Sequence, residues 1–466
     1  MITKIEINGF KSFNNFEMQF TPMTVIAGIN GSGKSNLFDA IKLISRLAEV
    51  DNIKRAFKEQ RGEFIELFTQ YSDNDYANEM EFAVEMLLNK SIKDAWGNSA
   101  ELKYTRLRYE LKVKRIVTNS GIEDIVLVYE SLINLKHRED TWIKDIISKS
   151  NTENWRPKVI GGRGMPYIET IVENNIPTVF VPQDGTTGNK RRFPLVNSTR
   201  TVLSSFDSVD FPHVYAAKEE MKSWRFMQLN PEELRKPTPK DRGDDSIDSS
   251  GRNLAATLYR IKQEDNYNLI EISRKIHSFL PNFISIDVED DKENKQFLLK
   301  LKDNDQKEYT SRVLSEGTLR IITLCILEFD SKYDGLLCFE EPENGIHPLR
   351  IDDMANLLKD LSTDFTDSEM PLRQVIVNTH SPVLVNCIYN WTEDKNVSIW
   401  LSQMKSRNTD IVKDQKVQRI HISITDIKPV LKENNGQLSI NCTVQEGKLN
   451  LSLLNDYLAT TKYERN

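Results

Sequence analysis

The sequence predicts an α/β fold: a mixed central sheet with flanking helices, an antiparallel β meander, and a helical insertion ahead of the C-terminal part. Three observations predict it. Residues Gly28–Asn36 read GINGSGKSN and fit the phosphate-binding pattern G-x-x-x-x-G-K-[ST]; the apolar run Met23–Ala27 precedes them and a helical stretch, Asn36–Glu49, follows. Two later apolar runs, Leu336–Phe339 and Val375–Val377, end in acidic and polar clusters. Between the loop and these runs, Met80–Leu87, Leu107–Ile116 and Asp124–Leu135 alternate as antiparallel strands do.

The chain has 466 residues, 39% of them hydrophobic and 28% charged, which supplies a sizeable core. A formal net charge of -7 excludes a uniformly basic coat for nucleic acid and leaves only local basic surfaces. No apolar run reaches the roughly 20 residues that span a bilayer. The first residues alternate as a strand and lack the apolar block of a secretory leader. A cytoplasmic protein is expected. Cys325, Cys338, Cys387 and Cys442 lack metal-ligand spacing and read as reduced core thiols, and the six histidines form no zinc motif.

Taken in order, Ile2–Ile7 and Phe16–Phe20 are strands around a turn at Asn8–Phe13. Met23–Ala27 is a buried strand feeding the loop. Gly28, Gly31 and Gly33 let backbone approach an anion, and the freed N–H groups form a cradle. Gly28, Asn30, Gly31, Ser32, Gly33, Lys34, Ser35 and Asn36 are the candidate nucleotide-binding residues. Lys34 would meet the β- and γ-phosphates, and Ser35 would ligate Mg2+. The basic stretches Lys54–Lys58 with Arg61, and Lys190–Arg192, read either as phosphate-backbone contacts or as solvated surfaces.

Ser148–Asn189, rich in Asn, Gly and Pro, reads as loop, with turns at Gly161–Gly164 and Gly185–Gly188. Tyr215–Asn230 reads as helix and carries Trp224 and Phe226. Pro237–Ser250 is polar loop. Helices are expected at Leu254–Gln263 and Leu269–Phe279, then a hairpin of Phe283–Val288 and Gln296–Leu301. Strands at Val397–Leu401 and Ile420–Ile424 and a helix at Leu451–Leu458 close the chain. No heptad stretch occurs, so the insertion is globular. The expected division is 1–205 as an N-terminal lobe, 206–305 as the insertion, and 306–466 as a C-terminal lobe.

Three further motifs carry chemistry. Leu314–Arg320, LSEGTLR, is a helix start in which Ser315 caps and Gly317 admits a ligand. Alone it is an ordinary helix start. Leu336–Pro348 places Glu340 and Glu341 at the C-terminal end of a buried strand, the edge of an open sheet where ligands bind. Glu340 would hold Mg2+ and Glu341 would polarise the attacking water. Arg373–Ser381 ends in Asn-Thr-His-Ser, where His380 could sense the γ-phosphate.

With these four motifs in this order, the chain resembles an ATP-binding-cassette-type ATPase of the RecF/OLD/SMC branch, the group of compact bacterial "AAA family ATPases" without a coiled coil. The opening Ile-x-x-Phe-Lys-Ser-Phe is similar to that branch's first strand and turn. LSEGTLR is similar to its signature motif, FEEPENGIHP to its Walker B and D-loop, and NTHS to its switch histidine. The resemblance implies ATP and Mg2+ as ligands, with Lys34, Glu341 and His380 as catalytic residues and Ser35 and Glu340 at the metal. It also implies a homodimer or higher oligomer, in which Ser315 and Gly317 complete the site in trans.

The resemblance extends to the ATPase subunits of antiphage defence systems, and so to nucleic acid and a separate effector protein, a nuclease or toxin. A RecF-like repair ATPase is the alternative, and the soluble subunit of a membrane transporter a third reading. Glutamate replaces the usual Walker B aspartate at Glu340. Gln183 and Gln228 are the candidates for the glutamine loop. No Asp-x-Asp follows His380, so no nuclease of the TOPRIM kind is expected in the chain.

Overall fold

The computed structural model describes the chain except residues 74, 160–165, 184–189, 243–244, 392, 414–415, 431–454 and 460–466; for 242, 409–413 and 416–419 it describes the backbone alone. The glycine groups at 161–164 and 185–188, and Cys442, lie outside the described residues. Of the closing helix, 455–459 is described and is helical.

Strands β1 (Ile2–Asn8) and β2 (Phe16–Gln19) form an antiparallel pair, and β3 (Met23–Ala27) leads to helix α1 (Lys34–Glu49) and the short helix α2 (Ile53–Lys58). The meander follows as β4 (Glu79–Leu87), β5 (Arg106–Val117) and β6 (Glu123–Asn134), giving a five-stranded antiparallel sheet in the order β6-β5-β4-β1-β2. Helix α3 (Thr141–Ile146) is capped by Asp140.

Part of the expected loop at 148–189 is instead two strands, β7 (Glu169–Glu173) and β8 (Ile176–Pro182), which join β9 (Lys190–Pro194) in a three-stranded sheet. Their turn is Asn174-Asn175, both residues at positive φ, a conformation asparagine tolerates.

Helix α4 (Pro212–Lys222) starts on a proline, which suits a first turn. It stops before Trp224. The rest of the predicted helix is interrupted by strand β10 (Arg225–Met227), parallel to the Walker B strand, because backbone pairing at the sheet edge outweighs local helical pattern. Then come α5 (Leu254–Glu264), α6 (Asn266–Phe279) and the hairpin β11 (Phe283–Asp291) and β12 (Gln296–Asp303). The C-terminal part contributes α7 (Glu316–Glu328), β13 (Gly335–Glu340), α8 (Ile351–Asp360), β14 (Arg373–Thr379), α9 (Pro382–Tyr389), β15 (Val397–Lys413) and β16 (Lys416–Pro429).

The central sheet has six strands in the order β10-β13-β14-β3-β15-β16. Its first five are mutually parallel, and β16 returns antiparallel to β15. Parallel strands are covered on both faces, and the side chains show it. Ile26, Leu336, Cys338, Ile376 and Trp400 face a core shared with α1, α4 and the antiparallel sheet. Their neighbours Val25, Leu337, Phe339, Val377 and Leu401 face a second core shared with α5 to α9. The period of two places β3, β13 and β14 side by side, with their C-terminal ends at one edge.

Glu130 pins the antiparallel sheet to the turn at Thr201–Ser205. Its buried carboxylate accepts from Tyr109 Oη, Val202 N and Leu203 N at 3.0, 2.6 and 2.8 Å. Burial pushes its pKa up to about 7, against the pull of these donors. A folded pKa above the unfolded one means that the native state holds the extra proton. This contribution to stability is full below the unfolded pKa and is lost as pH rises through about 7. Thermal midpoints should therefore fall between weakly acidic and weakly alkaline buffer, and the Glu130→Gln protein should show a shallower fall. An equal slope in both proteins would rule this out.

Candidate active site

Helix α1 opens on Gly33 at φ 89, with no side-chain cap. Its first N–H groups are thus available to an anion, with the helix dipole favouring negative charge. A Cβ at Gly33 would lie 1.9 Å from Thr425 Oγ1, so only glycine fits there. Lys34 is buried, and its ammonium donates to Gly28 O and Ile29 O at 2.6 and 2.9 Å. Burial lowers its pKa, opposed by the charges of Glu341 and Glu343. Asn30 and Gly31 form the exposed tip of the loop. Ser32 Oγ is buried and lacks a hydrogen-bond partner among the described residues. Asn36 faces elsewhere: its side chain donates to Ser12 Oγ at 2.8 Å and its N–H to Gly33 O at 3.1 Å.

The acids lie across β14. Glu340 ends β13 in register with Asn378, whose Nδ2 is 3.4 Å from Ser35 Oγ. Asn378 Oδ1 is buried and unpartnered among the described residues. Burial raises the Glu340 pKa, and Asp39 and Glu341 add to that, while Arg61 opposes it. A crowded carboxylate, a hydroxyl and a spare amide oxygen suit a hard divalent cation. The residues present therefore fit Mg2+, which Ser35 and Glu340 would hold.

Glu341 sits at φ 46, a left-handed conformation that costs a non-glycine residue about 1–3 kcal/mol and persists only when its surroundings enforce it. Its N–H donates to Asn378 O at 2.8 Å. Its Oε1 meets His380 Nδ1 at 2.8 Å, and its Oε2 accepts from Asn344 Nδ2 at 2.8 Å. Behind it, buried Glu343 accepts from Thr379 Oγ1, which in turn accepts from Ser381 N at 2.9 Å. These bonds tie the loops after β13 and β14 together and aim Glu341 and His380 at the edge where Lys34 lies.

Ser315 caps α7 by accepting from Thr318 N at 3.2 Å. Gly317 has a reason within the chain: a Cβ there would come within 2.7 Å of Gly345 O. The signature helix thus packs on its own D-loop. Among the described residues, no hydrogen bond joins Ser315 to the Gly28–Ser35 loop.

Of the residues near this edge, Gln228 is a glutamine-loop candidate in the sequence, as is Gln183, and Arg61 escapes the sequence reading. Gln228 directly follows β10, whose Met227 is in register with Phe339, one residue before Glu340, and Gln183 directly follows β8 in the three-stranded sheet. Arg61, grouped by sequence with a basic patch, bonds Asp39 Oδ1 at 3.0 Å and reaches Ser35 O at 3.5 Å. No local pattern marks the role of Arg61; only long-range packing does.

A parallel sheet whose central strand runs through such a loop into a helix, with acids at the end of the next strand but one, defines a P-loop NTPase. The chain belongs to the AAA ATPase domain family, whose model matches residues 1–385. It is similar to the structural maintenance of chromosomes protein 1 of Arabidopsis thaliana, 34% identical over 112 residues, 21% of this chain and 8% of that protein. The chain therefore spans less than a tenth of that relative's length. Among solved structures it is similar to an SMC head bound to the C-winged helix domain of ScpA, at 15% identity and TM-score 0.45, covering 91% of this chain and 98% of that one. A second is the SMC head domain from Thermotoga maritima, at 13% identity and TM-score 0.38, covering 92% and 99%. The family match bears out an ATPase domain, and the chromosome-maintenance similarity over its 112 residues agrees with the resemblance to the RecF/SMC branch. No helix among the described residues is long and apolar enough to cross a membrane.

Proposed function

We propose that this chain binds ATP with Mg2+ at the C-terminal edge of its central sheet, hydrolyses it, and closes on a second copy around the nucleotide. The observation that carries the hydrolysis reading is Glu341, held in a strained conformation between His380 and Asn344 and facing the edge that holds Lys34. Lys34 would exchange its carbonyl contacts for phosphate oxygens. Mg2+, when bound, supplies charge neutralisation to the phosphates. Glu341 would take the proton of the attacking water as the water oxygen bonds to the γ-phosphorus and the bond to the β-phosphate oxygen breaks. His380 holds Glu341 in place.

Closure on a second copy is supported by three exposed apolar side chains in segments at that same edge. They are Ile29 at 71% exposure in the loop, Val313 at 69% just before the signature helix, and Leu349 at 85% after the D-loop. Apolar side chains this exposed would be covered if that edge met a second copy.

The basic stretches lend nucleic-acid binding little support. Lys54 faces Asp124, Arg55 faces Glu59, Arg61 faces Asp39 and Arg192 faces Glu173, while Arg191 lies over Phe206 and Phe211. A role in defence or repair rests on the resemblance alone.

Titration of Lys34→Ala with Mg-ATP tests the binding half. The loss of one charge-assisted hydrogen bond predicts affinity about 10- to 100-fold weaker. Unchanged affinity would remove the loop from the site.

A further inference from the structure

The C-terminal hairpin builds the flank of the phosphate loop that lies away from the acids. β14, carrying Thr379 and leading to His380, borders β3 on one side, and β15 borders it on the other. On the ATP reading the hydrolysable end of the nucleotide would face the acids after β13, which leaves the β15 side to its nucleoside end. There the hairpin touches the loop at three points. Ser402 Oγ donates to Ser32 O at 2.8 Å. Ser402 O stands 2.5 Å from where a Cβ of Gly28 would be. Thr425 fills the space beside Gly33 and bonds Ser12 Oγ at 2.6 Å.

Met404 lies two residues beyond Ser402, on the same face of the strand, and pairs across the hairpin with Thr425. Thr425 Oγ1 approaches its sulfur at 3.6 Å. The side chain is therefore anchored beside the loop, yet it is 43% exposed, unusual for a methionine whose neighbours Ser402 and Thr425 are buried. The side chain is apolar and polarizable and rests on Thr425, the residue that borders Gly33, which suits the face of an aromatic base.

We propose that Met404 is the floor of a subsite for the purine base of the nucleotide, and that Ser402 and Thr425 fix this floor relative to the phosphate loop. The inference rests on the ATP reading above. It makes the hairpin, rather than the antiparallel sheet, the part of the chain that grips the nucleoside.

The test is equilibrium binding of ATP and of inorganic tripolyphosphate to the wild type, Met404→Ala and Met404→Gln. Both substitutions are at an exposed position and leave the loop contacts of Ser402 and Thr425 in place. The expected result is ATP binding weakened about twofold to tenfold in Met404→Ala, the range of a sulfur–aromatic contact, with tripolyphosphate binding unchanged. Met404→Gln should fall between the two. Equal weakening toward both ligands would mean that Met404 acts on the loop and not on a base, and would overturn the proposal. So would unchanged ATP binding. A wild type that binds tripolyphosphate as tightly as ATP has no base subsite, which overturns the proposal and leaves the phosphate loop standing. A wild type that binds neither removes both readings.

Discussion

The Glu341→Gln protein is expected to bind ATP as the wild type does and to turn it over about 10²- to 10⁴-fold more slowly, the range for loss of a positioned general base. The substitution keeps the size of the side chain and one oxygen, which can still face His380 or Asn344. On the proposed function the phosphate contacts would come from elsewhere, from Lys34 and the open start of α1. Binding and turnover should therefore separate. The strain at φ 46 adds to the case: no glycine relieves it, and three hydrogen bonds hold it. Phosphate release set beside nucleotide titration reads both quantities. Full turnover in this variant would assign the base to another residue.

Asp140→Ala is expected to cost about 3–5 kcal/mol of stability, the penalty for leaving buried cations without their partner. Asp140 is fully buried and accepts from Arg106 Nε and Nη2, both at 3.0 Å, and from Arg156 Nη1. Arg106 also donates to Thr3 Oγ1 at 2.7 Å and stacks on Trp142, so the network joins β1, β5 and α3. Burial would raise the Asp140 pKa, yet the two guanidinium groups overcome it and hold the carboxyl below its usual range. A depressed folded pKa gives stability that is present at neutral pH and lost as acid protonates the group. Urea unfolding at neutral pH should show the loss. A midpoint close to that of the wild type would mean that water enters and solvates the arginines.

Much of the site was legible because its pieces are short and contiguous. GINGSGKSN, FEEPEN and NTHS each follow an apolar run, and a buried parallel strand announces itself by such a run. The strand order that brings them together needed the shared edge of β3, β13 and β14. What escaped was set by distant partners. β10 is three residues long and has no period of its own; it exists because β13 offers an edge. Arg61 reads as one more surface charge until Asp39 and Ser35 are seen beside it. Asn36 directly follows the phosphate-binding pattern, yet Ser12 claims its side chain. The β15–β16 hairpin reaches the loop from nearly 400 residues away in sequence, and nothing local in Ser402, Met404 or Thr425 points there.

The central claim is that ATP closes two copies of this chain on each other. The most direct measurement is the solution mass of Glu341→Gln with and without Mg-ATP. A monomer that becomes a dimer only with the nucleotide is the predicted result. A mass that ignores ATP would contradict the claim and place Ile29, Val313 and Leu349 outside any nucleotide-gated interface.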